Sequence, residues 1–274
     1  MTESWWLKLF RAQDHLDEVA DEIRRFSERH PYDAVPETYR KGKRDFLRFV
    51  LRFTGEPDEI LPVMVGDVIH NVRSALDHLV VANVPRRRRT KAGFPIFQTC
   101  PFDAQGNVLN NDLGKAWTKL TTGLPAPLLA QVKALQPYQP PGVEDLAEMT
   151  ARGIDPSDVN ALGNIGRLDN ADKHRALIAT PFGVHNPSAT VTADGTRRSL
   201  PVLNGVIKDG TQIAEFDLAT FAAGAEVKMD VSGPACVALE VRSRKGVLML
   251  PETLQQSIDH VGSIAATFER LLTR

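Results

Sequence analysis

The chain has 274 residues, is 42% hydrophobic and 24% charged, and sets 33 Lys plus Arg against 34 Asp plus Glu for a net charge of −1. These totals exclude composition-driven disorder and a wholesale polycationic coat, and they leave room for a local basic groove. Two cysteines, Cys100 and Cys236, are too few for a disulfide framework or a thiolate zinc cluster and point to a reducing, cytoplasmic setting. The opening MTESWWLKLF runs at once into charged residues, so no secretory signal is expected. No apolar run approaches the roughly 20 residues of a membrane span.

Residues 4 to 29 predict a long amphipathic helix, with Trp5, Leu9, Ala12, Leu16, Val19, Ile23 and Phe26 at three- and four-residue steps and His30-Pro31 as its stop. Residues 32 to 43 read as loop. Residues 45 to 53 alternate, with Leu47, Phe49, Leu51 and Phe53 on one face, and predict a half-buried strand. A central helix is expected over 66 to 81, ended ahead of Pro85. Residues 84 to 123 read as irregular. A short helix follows at 125 to 135, then a Pro-rich connector to Gly142 and a helical turn at 143 to 151. A further helix is expected from Ser157 to Leu177, with Leu162, Ile165 and Leu168 facing inward. From 180 to 250, short apolar runs are separated by turn signals such as Ala193-Asp194-Gly195, Lys208-Asp209-Gly210 and Ser232-Gly233-Pro234. Pro251 opens a last helix that runs to Leu272. The order predicts an α+β fold in a single domain, 1–274. In that reading an antiparallel four-helix bundle (4–179 and 251–273) carries an inserted antiparallel β-meander at 180–250.

The central helix carries the chemistry. At about 100° per residue, Val65, Val68, Ile69, Val72, Leu76 and Leu79 form its back. Its front presents Asp67, His70, Arg73, Ser74, Asp77 and His78, which are acids, bases, phosphate donors and potential metal ligands in place of the Lys and Glu of an ordinary solvated face. A structural reading stands beside the functional one, since His–Asp pairs also stitch helices together.

The segment Arg73-Ser-Ala-Leu-Asp-His78 is an R-x4-H pattern and resembles the HEPN superfamily, helical bundles many of which are metal-independent ribonucleases. Residues 66 to 79, GDVIHNVRSALDHL, also resemble a string shared by a group of bacterial and phage proteins. The HEPN resemblance implies a homodimer with one active site between two copies, acting on RNA without a metal or other cofactor. Arg73 would hold the scissile phosphate, His78 would move the proton of the attacking 2′-hydroxyl, and Asp77 would assist. Arg73 and His78 lie about 140° apart around a regular helix, so a symmetric partner or a kink has to bring them together.

A second constellation, Asp169, Asp172, Lys173 and His174, falls near the end of the helix expected at 157 to 177. Packed beside the central helix, this segment would bring His174 and Asp169 toward His70 and Asp77, so that His70, Ser74, Asp169, Asp172 and His174 support Arg73 and His78, as a hydrogen-bonded cluster or as a metal site built from His70, Asp77 or His78, and His174. No zinc-binding spacing is present, so no metal is assigned. A third feature, Arg86, Arg87, Arg88, Arg89 and Lys91, follows the central helix directly and would bind phosphates; the alternative is a solvated loop. There is no P-loop, no G-x-G-x-x-G, no G-x-S-x-G and no H-E-x-x-H. Three functions stay open: an RNA-directed protein, ribonuclease or binder; a non-enzymatic bundle whose His/Asp cluster is structural; and a metal-binding bundle.

Overall fold

The computed structural model describes residues 3–139, 160–174, 177–241 and 247–273. It divides into two compact units, one of Met1–Asp17, Val63–Leu177 and Pro251–Arg274, the other of Glu18–Pro62 and Ile178–Leu250.

The first unit is helical. It holds the first half of α1 (Ser4–Glu28), nearly all of α2 (Leu61–Ala82), α3 (Asp112–Thr121), α4 (Ala126–Ala134), α5 (Ala161–Lys173) and α6 (Glu252–Leu272). The apolar back of α2 is fully buried: Val65, Val68, Ile69, Val72, Leu76 and Leu79 are all 0% exposed. The helix starts at Leu61 with Pro62 in its first turn, where a missing N–H costs nothing. α1 meets α6 through Trp6 Nε1, which donates to Glu269 Oε1 at 2.7 Å, and through paired amides of Gln13 and Gln255. It meets α2 through Lys8 Nζ, which donates to Asn71 Oδ1 at 3.3 Å. α2 meets α5 at a bare backbone position: a Cβ on Gly66 would lie 2.3 Å from Asp172 Oδ1.

The second unit holds three antiparallel sheets. The hairpin β1 (Tyr32–Lys41) and β2 (Arg44–Phe53) pairs with β7 (Gln212–Asp217) in the order β1-β2-β7. β3 (Leu177–His185), β6 (Val206–Lys208), β9 (Ala235–Val241) and β10 (Val247–Leu250) form a sheet in the order β10-β9-β3-β6. β4 (Ser188–Ala193), β5 (Thr196–Ser199) and β8 (Val227–Ser232) form one in the order β5-β4-β8. Leu47, Phe49, Ala189, Val191 and Met229 form a buried core cluster of this unit. The β4–β5 turn is Asp194-Gly195, with φ of 50° and 73°, the pair of positive dihedrals that a two-residue hairpin demands. Every turn signal named between 180 and 250 falls between two strands.

The fold is α+β, and the four-helix bundle with an inserted meander is overturned. Six α-helices and three antiparallel sheets of three or four strands are present among the described residues. The strands after residue 177 are not paired in sequence order. One of them, β7, is completed by a hairpin that precedes α2, so the β structure is no insertion confined to 180–250. The loop expected at 32–43 is β1. Its outward positions are polar and it ends its sheet, where Pro36 needs no ladder partner, and this hid the strand. α3 was hidden in the stretch read as irregular. Asn111 caps it by accepting from Gly114 N at 2.9 Å, and Leu113, Ala116, Trp117 and Leu120 follow at helical spacing. α5 ends at Lys173, and Leu177 already belongs to β3. The connector from 140, the turn at 143–151 and the helix start at 157 lie outside the described residues.

A helix-interior Gly→Ala change ordinarily stabilises by about 1 kcal/mol. At Gly66 the new methyl meets the Asp172 carboxylate, so Gly66→Ala is expected to destabilise by about 1–3 kcal/mol in urea denaturation. A raised midpoint would show that the Asp172 side chain turns aside at little cost.

Candidate functional site

Two of the front residues of α2 work on the chain that follows it. Asp77 Oδ1 accepts from Arg73 Nη2 at 2.9 Å and from Phe94 N at 2.8 Å, and the same Arg73 nitrogen donates to Phe94 O at 2.7 Å. The i, i+4 spacing puts both side chains over one turn, where they reach the strap at residues 93–97 together. Gln136, 1% exposed, clamps the next stretch: its Nε2 donates to Pro95 O at 2.9 Å and its Oε1 accepts from Phe97 N at 3.0 Å. The strap lies close to both flanking helices. A Cβ on Gly93 would sit 3.0 Å from Asp77 Oδ1, and one on Gly166 of α5 would sit 3.0 Å from Ile96 Cγ2.

Over this strap opens a cleft of about 420 Å³, lined by His70, Arg73, Ser74 and Asp77 of α2 and by Asp169, Asn170 and Lys173 of α5, with Leu120 and Phe94 to Phe97 as its apolar part. Lys173 Nζ donates to Asp169 Oδ2 at 2.6 Å. Asp172 lies against Gly66 beneath this face. Its carboxyl is held above the usual aspartate range, first by burial and then by the negative charges of Asp169 and Asp67, against which His70 and Lys173 pull it down.

The expected site residues therefore separate. His70, Arg73, Ser74, Asp77 and Asp169 share the cleft, and Asp172 borders it through its charge. His174 is exposed past the end of α5 and is not part of the lining. His78, half-buried, is also absent from the lining, and its Nδ1 is buried without a hydrogen-bond partner. Of the motif pair, Arg73 lines this cleft and His78 does not. Among the described residues no group of three or more His, Cys, Asp or Glu could hold a metal ion.

A second cleft, of about 540 Å³, is basic. Residues 86–88 form a 3₁₀ turn, continued by Lys91 N donating to Arg88 O at 3.0 Å. That coil brings Arg88 and Lys91 to the cleft; Arg86, Arg87 and Arg89 are exposed and lie outside its lining. α3 supplies another wall with Lys115, Thr118 and Lys119 and its C-cap Thr122, at i, i+3, i+4 and i+7 along one helix face. Lys115 lies 3.6 Å from Asp112, both exposed, while Arg88, Lys91 and Lys119 pair with no carboxylate among the described residues. Lys115 and Lys119 were not anticipated, because the helix that presents them was not; the Asn111 cap and the Leu113/Trp117/Leu120 spacing were the available signal.

No family model, no curated protein and no solved structure matches this chain. Among the described residues no helix is long and apolar enough to cross a membrane.

The Asp172 shift fixes a sign. A carboxyl whose folded value is raised adds its full stability only below the ordinary aspartate range, and that contribution is lost as pH rises through the raised value. Asp172→Asn removes the charge and keeps the shape, so the variant should melt higher than the parent at pH 7, with the gap narrowing as pH falls toward about 4. Thermal melts across that range check it. A gap that widens on acidification would mean that the ionised carboxylate is stabilising.

Proposed function

We propose that this protein binds single-stranded RNA through the cleft between the Arg86–Arg88 turn and α3. One observation carries the reading: Arg88, Lys91, Lys115 and Lys119 converge on one cleft in a chain whose net charge is −1. On a nearly neutral chain, four cations lining one cleft concentrate positive potential where a phosphate backbone would lie. Thr118, Thr122 and Asn110 add hydroxyl and amide groups to the same lining and suit phosphate and sugar contacts. The cleft runs along a helix face and is open, which suits a strand more than an enclosed small molecule. The choice of RNA over DNA follows the R-x4-H resemblance, and a homodimer remains part of that proposal.

The proposal stops at binding. We propose no cleavage step: within one copy Arg73 is held by Asp77 and the Phe94 carbonyl, and His78 lines neither of these two clefts.

Release of counterions gives a quantitative test. Four phosphate contacts on a single strand correspond to a slope of log K against log salt of about −3, so affinity should fall about 50-fold between 50 and 200 mM salt. Binding should persist in chelator, and Lys91→Gln with Lys119→Gln should flatten the slope by about 1.4. Anisotropy titrations of matched RNA and DNA strands check all three. No binding of RNA at low salt would end the proposal, and tighter binding of DNA would end the choice of RNA.

A further inference from the structure

We infer that the cleft between α2 and α5 takes a single unpaired nucleobase, one that carries an exocyclic amine. The inference rests on the RNA reading of the neighbouring basic cleft.

The two clefts differ in charge balance. In the α2/α5 cleft each permanent cation has a carboxylate on it: Arg73 is paired with Asp77 and Lys173 with Asp169, at 2.9 and 2.6 Å. A phosphate would meet two carboxylates there and gain little. What the cleft offers is hydrogen-bonding capacity. Asp77 uses only Oδ1, and Asp169 uses only Oδ2. Their second oxygens, together with Ser74, Asn170 and His70 of the same lining, make no hydrogen bond to any described residue. The remaining accessible surface is Leu120, Ile96 and Phe97, Phe94 and Pro95 being buried. The partner that fits this lining is flat, uncharged and rich in N–H donors.

Nucleobases with an amine have that chemistry. A carboxylate oxygen accepts from the amine of cytosine, and the same geometry serves adenine. Uracil has one ring N–H between two carbonyls, and the carbonyls would face the Asp77 and Asp169 oxygens. Single-stranded RNA is recognised in this manner elsewhere, by splayed bases held on apolar or aromatic surface and read along their edges.

The spacing fits one strand. Lys91 lines the basic cleft and Phe94 lines the other, so three residues of chain, at most about 11 Å, separate the two linings. On α3 the neighbours Lys119 and Leu120 divide between the same two clefts, and Gly93 N donates to Leu120 O at 3.2 Å to hold the strap against that helix. A backbone seated on Lys91 and Lys119 would have its next base within reach of the second cleft.

The test compares oligo-A, oligo-C, oligo-U and an abasic strand of equal length and salt. The A and C strands should bind at least about fivefold more tightly than the U and abasic strands. Asp169→Asn with Asn170→Ala should erase that preference and leave oligo-U affinity undiminished, since Lys173 would lose its carboxylate partner. Ser74→Ala, at a half-buried position away from the strap hydrogen bonds, serves as a second variant and should narrow the preference. Equal binding of all four strands overturns the base site and leaves the phosphate reading standing. A preference that survives in both variants places the base elsewhere and overturns the assignment. Failure of every strand to bind overturns the RNA reading and this inference with it.

Discussion

The helical unit depends on how the segment Gly93–Phe97 is held. An extended strap between helices has backbone N–H and C=O groups that no ladder satisfies, and a buried group left unpaired costs about 1–3 kcal/mol. Phe94 is 0% exposed and cannot turn to water. Its N–H and its carbonyl are both taken by the Asp77–Arg73 pair, and the Pro95 carbonyl and Phe97 N–H are both taken by Gln136. Four backbone groups are thus satisfied by three side chains from two directions. The bonds are charge-assisted on one side and buried or half-buried on the other, so unseating the strap would leave several polar groups unpaired.

That constraint decides what the polar face of α2 can do. Arg and Asp at i, i+4 on a helix suggest catalysis when seen alone, and here Asp77 aligns Arg73 on a carbonyl and takes an amide hydrogen itself. The residues left over on that face are His70, Ser74 and the free carboxylate oxygens, which can accept or donate hydrogen bonds without moving the strap. On this face Arg73 and Asp77 have a structural task, and His70 and Ser74 are left for the proposed one.

Much of the helical content was legible because burial imposes a period. The apolar steps of residues 4–29 and 251–272 appear as α1 and α6 with little change of boundary, and the back of α2 is buried at each of the six positions its period assigns. The β region was legible in its punctuation and illegible in its pairing. Turn residues such as Asp194-Gly195 announce themselves by the backbone dihedrals they accept, whereas the partnership of β2 with β7 joins residues more than 150 apart and leaves no local mark. The site followed the same division. His70, Arg73, Ser74 and Asp77 share a helix face and could be grouped from spacing alone, but the clamp by Gln136 and the cations Lys115 and Lys119 come from other elements.

Charge accounting separates the two clefts more sharply than shape does. Both are open, they differ little in volume, and α3 borders both. In the α2/α5 cleft the carboxylates sit on the cations, and the ionisation of Asp172 is resisted first by burial and then by the charges of Asp169 and Asp67. Additional negative charge there would work against two fixed carboxylates. In the basic cleft the one carboxylate paired with a lining cation among the described residues is Asp112, which is fully exposed and so screened by water. A polyanion moving over this surface would be attracted to one side of α3 and gain little on the other, so a bound strand has a direction in which its backbone and bases can sort themselves. The proposal of a nucleic-acid ligand rests on the charge pattern set by these few pairs more than on the presence of histidine on α2.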